Sequence, residues 1–301
     1  MNEKARLIDI NEWVQTGEGT DAVTYISRTD DSVLLRMNVR HGNREDVYSE
    51  YVRSLAVESL GISTPKVLEF VTDGLNHGIV FQRIDGKKSL SQIISEHPEQ
   101  VDDIAAQMAQ MAHGLHSVPC DTGLFDNVGK RYIETIDSCG HIPERLKVLL
   151  RSYASAFADC TTCLHGDLQP GNIIRAGGKD YWIDAGRFGY GDPDLDFSSL
   201  YILSHLTPKC IVQDLCHISI RQMRKFTDSY GRAYYGERYG SPELRDKLEK
   251  AGLLRLGVSF ALSRRPKAFR FFYIDTFYGN SLRAKIKMML MDLLARKYKK
   301  Y

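Results

Sequence analysis

The spacing of apolar residues changes once along the chain. Up to about residue 85 they come in short runs of strand type: Val23-Thr24-Tyr25-Ile26, Ser32-Val33-Leu34-Leu35-Arg36-Met37, Lys66 to Phe70 and Gly78 to Arg83. Among these runs, the stripe Val47, Tyr51, Ser54, Leu55 and Glu58 predicts a helix from about Arg44 to Leu60, closed by Gly61 and then Pro65. Beyond Gly86 the period becomes helical. Ile104, Met108, Met111, Ala112 and Leu115 mark a helix over Val101 to Val118, and Pro119 ends it. Further helices are predicted over Pro143 to Phe157, Leu195 to Leu206, Ile211 to Tyr235, Pro242 to Leu262 and Asn280 to Lys297. One strand pair interrupts this helical part: Asn172-Ile173-Ile174 and Tyr181-Trp182-Ile183 flank Ala176-Gly177-Gly178, a β-hairpin pattern. No internal repeat, low-complexity tract or long linker divides the chain, so the change near residue 86 reads as a hinge within one unit.

The hairpin carries chemistry. Its two arms are of similar length, so Asn172 at the start of the first arm should lie near Asp184 after the second. Asp167 precedes Asn172 by five residues, in a loop that Pro170 and Gly171 keep out of helix. Three oxygen-bearing side chains are thereby directed to one region. Phosphoryl transfer needs a carboxylate to orient or deprotonate the acceptor hydroxyl, and oxygen ligands for Mg²⁺. Asp167 suits the first task, Asn172 and Asp184 the second. Asp, Asn and Gly are also ordinary turn residues, but turn chemistry does not demand this ordered set.

The segments HGDLQPGN and IDAGRFGYGDPDLDF resemble the catalytic and metal-binding signature of the aminoglycoside phosphotransferase and choline kinase group, with motifs in order across roughly Thr16 to Tyr201. The resemblance implies a two-lobed, protein-kinase-like α+β fold, with residues 1–85 as a nucleotide-binding lobe and 86–301 as a catalytic and acceptor-binding lobe. It implies Asp167 as the catalytic base, Asn172 and Asp184 as Mg²⁺ ligands, and His165 and Asp196 as braces of the catalytic loop. Taken alone, His165 reads as a structural histidine. Asp196, before Phe197, Leu200 and Tyr201, reads as a helix N-cap or first-turn acid.

The first part of the chain fits a nucleotide site. Thr16-Gly-Glu-Gly-Thr-Asp-Ala22 is a glycine loop between strand runs, whose Gly17 and Gly19 can bring backbone N–H groups close to phosphates. It is not a dinucleotide fingerprint, because these glycines open a strand, and no GxxxxGK[ST] occurs. The kinase-like pattern implies a basic residue on the next strand, paired with a helix glutamate. Here these are Arg36, in place of the usual lysine, and Glu50. Arginine can still grip phosphate with two parallel hydrogen bonds. The resemblance also implies that the backbone of Gln82 to Ile84 meets the adenine edge at a hinge; the plain alternative is a strand end.

Composition and charge narrow the partner. At 301 residues, 43% hydrophobic and 26% charged, the chain can bury a sizeable core. The start MNEKARLIDINEW lacks an apolar leader core, and no window approaches a membrane span, so a cytoplasmic protein without a membrane partner is expected. Its six cysteines then read as reduced thiols. Cys160 and Cys163 have zinc-ligand spacing, but Cys210 and Cys216 lack the close spacing of a second pair, and small buried side chains on the strand into His165 are the simpler account.

Residues 209–301 hold 21 Lys plus Arg against 8 Asp plus Glu. In the resembling family the helices after the metal motif form much of the acceptor pocket, so this excess favours a neutral or anionic acceptor over a polycationic aminoglycoside. A net charge of +2 and the lack of a recognised motif argue against nucleic acid. The function expected is an ATP- (or GTP-) and Mg²⁺-dependent O-phosphotransferase acting on a small molecule such as an antibiotic, sugar or amino alcohol. A protein kinase is disfavoured because Asp184-Ala-Gly stands where DFG would, with no APE after it. The alternative from another class is a nucleotide-binding scaffold of the same fold without catalysis.

Overall fold

The computed structural model describes residues 4–18, 22–39 and 44–298, with side chains as far as Leu294. The fold is α+β, with a small β-sheet N-terminal region and a helical C-terminal region. Two compact units divide the chain: residues 1–89 with 172–188, and residues 90–171 with 189–301.

The first unit is built on a six-stranded sheet in the order Arg6–Leu7, Val67–Thr72, His77–Gln82, Val33–Asn38, Ala22–Ser27, Trp13–Glu18. All neighbours are antiparallel except Arg6–Leu7, which runs parallel to Val67–Thr72. Side chains alternate across a strand, and this decides where Arg36 points. Leu35 and Met37 are buried on one face with Ile8, Val71 and Val80. Arg36 therefore lies on the other face, cross-strand from Ile79. On that face the helix Arg44–Ser59 packs Val47 and Tyr51 against Val67, Phe70 and Ile79. The helix stripe is Val47, Tyr51, Ser54 and Val57, with Leu55 exposed, a correction of the expected stripe. Gly61 at φ +74° ends the helix, a conformation glycine adopts without a Cβ penalty.

The hairpin forms as expected. Ile173–Ala176 pairs antiparallel with Lys179–Trp182, and Gly177 and Gly178, at φ +55° and +75°, make the two-residue turn. Lys88–Ser89 adds a third strand beside Ile173–Ala176. Ser63 fixes the hairpin to the loop after the first helix: its carbonyl accepts from Trp182 N at 2.8 Å and its hydroxyl donates to Asp180 O at 2.9 Å.

In the second unit, Val101–His116 packs against Ile220–Tyr235, and Pro242–Ala261 packs against Phe197–Tyr201, Val128–Ser138 and Glu144–Ala154. Leu146, Leu150, Leu164, Leu254 and Phe260 are the centre of the resulting core. The single helix expected over Ile211 to Tyr235 is two, Lys209–Cys216 and Ile220–Tyr235. His217 turns left-handed at φ +57°, and Ser219 with Gln222 forms a capping box, a Ser-x-x-Gln start signal that apolar spacing overrode. The helix expected to run to Leu206 is regular over Phe197–Tyr201 and widens to a π-helical turn over Ile202–Leu206. Leu90–Glu96, Val128–Ser138 and Pro266–Phe277 are helices that periodicity did not reveal.

Candidate active site

A cavity of about 270 Å³ lies within the first unit. Its apolar wall includes Leu34, Val67, Phe81, Ile84, Ile174 and Trp182, and Arg36, Glu50, Asn172 and Asp184 add polar groups. Few polar groups set in an apolar wall is the usual composition of a small-molecule site. Arg36 and Glu50 form an ion pair. Burial pushes the Glu50 carboxyl up, the Arg36 guanidinium pulls it down, and the nearby Asp184 carboxylate raises it further. These two carboxylates crowd one glycine: a Cβ built on Gly186 would stand 3.6 Å from Glu50 Cδ and 3.7 Å from Asp184 Oδ1. Arg53 Nη1 donates to Gly186 O at 2.6 Å and holds this corner.

Asn172 and Asp184 are brought together as the hairpin pattern requires, since Ile183 N donates to Asn172 O at 2.9 Å. Asp184 adopts φ +63°, ψ +59°, a left-handed backbone that residues other than Gly, Asn and Asp rarely take. A buried amide oxygen beside a carboxylate, near a second carboxylate, suits a hard cation that takes its remaining ligands from phosphates and water.

Gly17 stands at a bulge where a Cβ would meet Thr24 Oγ1 at 2.7 Å, so the close approach of these strands requires glycine. Gly19 lies outside the described residues. At the expected hinge, Gln82 N donates to Lys66 O and Arg83 N to Ser32 O, so both N–H groups belong to the sheet. The Ile84 backbone has no hydrogen-bond partner among the described residues, and Ile84 lines the cavity. Lys87, which periodicity and motif did not single out, lines it as well; burial and the neighbouring Arg83 push its ammonium pKa down.

The second unit positions the loop His165-Gly166-Asp167. Cys163–Leu164 pairs with Gly189–Tyr190 and delivers the chain to Gly166, which turns left-handed at φ +75°. The carboxylate of Asp196 accepts from His165 N at 2.8 Å and from Gly166 N at 2.7 Å. It makes no side-chain cap to its own helix, so the N-cap reading is corrected. His116 Nε2 faces the same carboxylate at 3.0 Å and must donate, since an ionised carboxylate only accepts; its Nδ1 meets the Tyr234 hydroxyl at 2.6 Å. His165 is buried, and its Nδ1 accepts from Asp167 N at 3.3 Å.

Asp167 Oδ1 accepts from Ser199 Oγ at 3.1 Å and from Arg255 Nη2 at 2.6 Å. Arg255, buried on the helix Pro242–Ala261, also donates through Nη1 to Gly166 O at 2.6 Å and to the Tyr132 hydroxyl at 3.0 Å. The planar guanidinium thus spans the loop carbonyl and the loop carboxylate, which a lysine cannot do with one nitrogen. The only sequence signal for Arg255 was its position inside an apolar run, Leu253-Leu254-Arg255-Leu256, where a charge must find a partner.

Cys216 is buried near this loop, its thiol pushed up to about 12 by burial and by the Asp167 charge, and its Sγ lies 3.7 Å from Gln169 Oε1. Iodoacetamide at mildly alkaline pH is therefore expected to leave Cys216 unmodified in the folded protein, as mass spectrometry of its peptide would read. Rapid alkylation there would show that the helix does not close over the loop.

Comparison with known proteins gives one family and one fold. The family model described as phosphotransferase enzyme family matches residues 12–237. No curated protein sequence gives a match. Among solved structures, the chain is similar to a streptomycin–ATP ternary complex of APH(2″)-IIa, at 19% identity and TM-score 0.58 over 85% of this chain and 88% of that one. It is similar to a thermostable mutant of APH(4)-Ia bound to ADP and hygromycin B, at 14% identity and TM-score 0.58 over 94% and 93%. A choline/ethanolamine kinase family protein from Mesorhizobium loti matches at 15% identity and TM-score 0.51 over 94% and 87%. At these identities the solved structures speak for the fold. The family match covers most of the chain, from the strand that carries Gly17 to the helix that carries Tyr234, and by it the chain belongs to the phosphotransferase enzyme family.

Proposed function

We propose that this chain is an ATP- and Mg²⁺-dependent O-phosphotransferase that moves the γ-phosphate to a hydroxyl of a small molecule. The observation that carries the reading is the cavity of the first unit, an apolar wall with Arg36, Glu50, Asn172 and Asp184 gathered on it. The base would lie along the apolar wall, with Ile84 offering its N–H and C=O to the base edge. Arg36, held by Glu50, would contact the phosphates, and Gly17 lets the backbone approach them. Asn172 and Asp184 would hold Mg²⁺. When bound, Mg²⁺ neutralises charge on the phosphate oxygens.

Asp167 would accept a hydrogen bond from the acceptor hydroxyl and aim it for in-line attack, then take its proton as the bond to phosphorus forms and the bond to the ADP oxygen breaks. Asp196 and Arg255 fix the loop that presents it. Positioning and charge neutralisation would supply most of the rate. The acceptor would be neutral or anionic. Residues 209–263 alone carry 10 Lys plus Arg against 6 Asp plus Glu, so a positive balance remains when the last helices are set aside.

The second reading, a nucleotide-binding scaffold, is favoured by one feature: Arg255 and Ser199 already occupy Asp167 Oδ1. Calorimetry of ATP with and without Mg²⁺, paired with an ATP-consumption screen over aminoglycosides, macrolides, amino alcohols and sugars, separates the two. Mg²⁺-dependent binding with turnover on one class is the expected result. Binding with no turnover on any class would favour the scaffold, and turnover confined to polycationic aminoglycosides would refute the charge argument.

A further inference from the structure

The helix Ser281–Tyr298 is apolar on the side it turns outward. Leu282, Ile286, Met289 and Leu293 are 71%, 57%, 72% and 66% exposed. Their spacing of four, three and four residues places them on one stripe, roughly 16 Å long at helical rise. The opposite side of the helix is engaged. It packs on Pro266–Phe277 and on Lys209–Cys216, Asp292 Oδ1 accepts from Lys209 N at 2.6 Å, and Lys287 pairs with Asp275. The outward stripe is therefore not the helix's own packing face. Four large apolar side chains in a row at this exposure mark an interaction site.

Charge says what the stripe meets. Helical geometry puts Arg283 on one flank and Lys285 on the other, and both are exposed; Asp292 shares the Lys285 flank, where it accepts from Lys209 N. Residues 263–301 hold 11 Lys plus Arg and 2 Asp plus Glu. Two copies of this stripe face to face would set basic flank against basic flank, which disfavours self-association. A groove that wraps a helix is disfavoured too, because one side of this helix is already docked and only a single outward strip is free. A flat anionic surface meets both conditions, taking apolar side chains between its headgroups and cations at the phosphate level.

We propose that the helix Ser281–Tyr298 is a peripheral docking element for anionic lipid bilayers, with Leu282, Ile286, Met289 and Leu293 entering the interface and Arg283 and Lys285 meeting lipid phosphates. This is adsorption, not spanning: among the described residues no helix is long and apolar enough to cross a membrane. Adsorption would bring the second unit's helical end to the surface, independently of which acceptor the enzyme uses.

The test is co-sedimentation of the full chain with vesicles of phosphatidylcholine, with and without phosphatidylglycerol. Binding to the anionic vesicles, weakened by added salt, is the expected result. Met289→Gln with Leu293→Gln should reduce it at least tenfold, on the order expected for losing two apolar anchors. Arg283→Gln and Lys285→Gln should each reduce it roughly fivefold. All four positions are exposed, so unchanged thermal melting of the variants checks that the fold is intact. No binding by the parent chain, or binding that ignores the apolar variants, overturns the proposal. So does a dimer in analytical ultracentrifugation that the same variants dissolve, which would assign the stripe to a second copy. Capture of an acidic protein through the stripe without vesicle binding also overturns it.

Discussion

On the proposed function, replacing Asp167 with asparagine is expected to lower phosphoryl transfer by roughly a thousandfold and to leave ATP binding unchanged. The magnitude is that of removing a positioned general base. The carboxylate can both accept the acceptor's hydrogen bond and take its proton, and asparagine keeps the shape without the proton affinity. Nucleotide affinity is expected to hold because the cavity with Arg36, Glu50, Asn172 and Asp184 belongs to the other compact unit and takes no part of its lining from Asp167. Parallel turnover and calorimetry measure the two quantities. Turnover within a few-fold of the parent would remove Asp167 from the chemistry, and lost ATP binding would mean that the loop shapes the nucleotide site as well.

Arg255→Met is expected to cost about 2 kcal/mol of stability, because it removes the buried partner of the part-buried Asp167 carboxylate and also leaves Gly166 O and the Tyr132 hydroxyl without this donor. Arg255→Lys is the sharper test. It keeps the charge in the apolar run but cannot span the carbonyl and the carboxylate together. On the proposed role of Asp167, the expected outcome is a melting temperature close to the parent's, a kcat lowered about tenfold or more, and an unchanged KM for ATP, since misplacing that carboxylate would affect the transferring step. A merely structural arginine would give the opposite pattern: melting would fall and the kcat of the surviving folded enzyme would not. Urea melts and steady-state kinetics on the three proteins decide it.

The candidate residues of the two units differ in how legible they were. Asn172, Asp184, Gly177 and Gly178 could be placed from sequence because a hairpin is a local object: two arms and a two-glycine turn fix which residues meet. Arg36 and Glu50 came from the family resemblance, which implies a basic strand residue paired with a helix glutamate; periodicity supplied only the strand and the helix that carry them, and the two do form an ion pair. Arg255 and His116 were not readable. Arg255 stands 88 residues from Asp167 and His116 stands 80 from Asp196, and their contacts exist only once distant helices pack. Asp196 shows the intermediate case. Its place before Phe197 suggested a cap, but its oxygens go to His165 N and Gly166 N, a choice that local propensity cannot express.

Fold errors have the same origin. Val128–Ser138 begins at Asn127, whose side chain caps Lys130 N, and a polar start of that kind is easily lost among turn residues. The break between Lys209–Cys216 and Ile220–Tyr235 was hidden by an apolar rhythm that runs straight through it. The two-residue strand Arg6–Leu7 is too short to carry a period at all.

The buried arginine on the helix Pro242–Ala261 also bears on how the protein comes into being. A chain made from its N-terminus exposes Asp167 to the cell long before Arg255 is synthesised, and the brace from Asp196 arrives in between. Asp167 thus acquires its partners in two instalments, the later one from 88 residues downstream. A nascent chain stalled before residue 255 would already contain every residue that lines the first unit's cavity, with Asp167 still lacking its arginine. The fold thereby separates the making of the first unit's cavity from the fixing of Asp167, and ties the second to a helix that is made later.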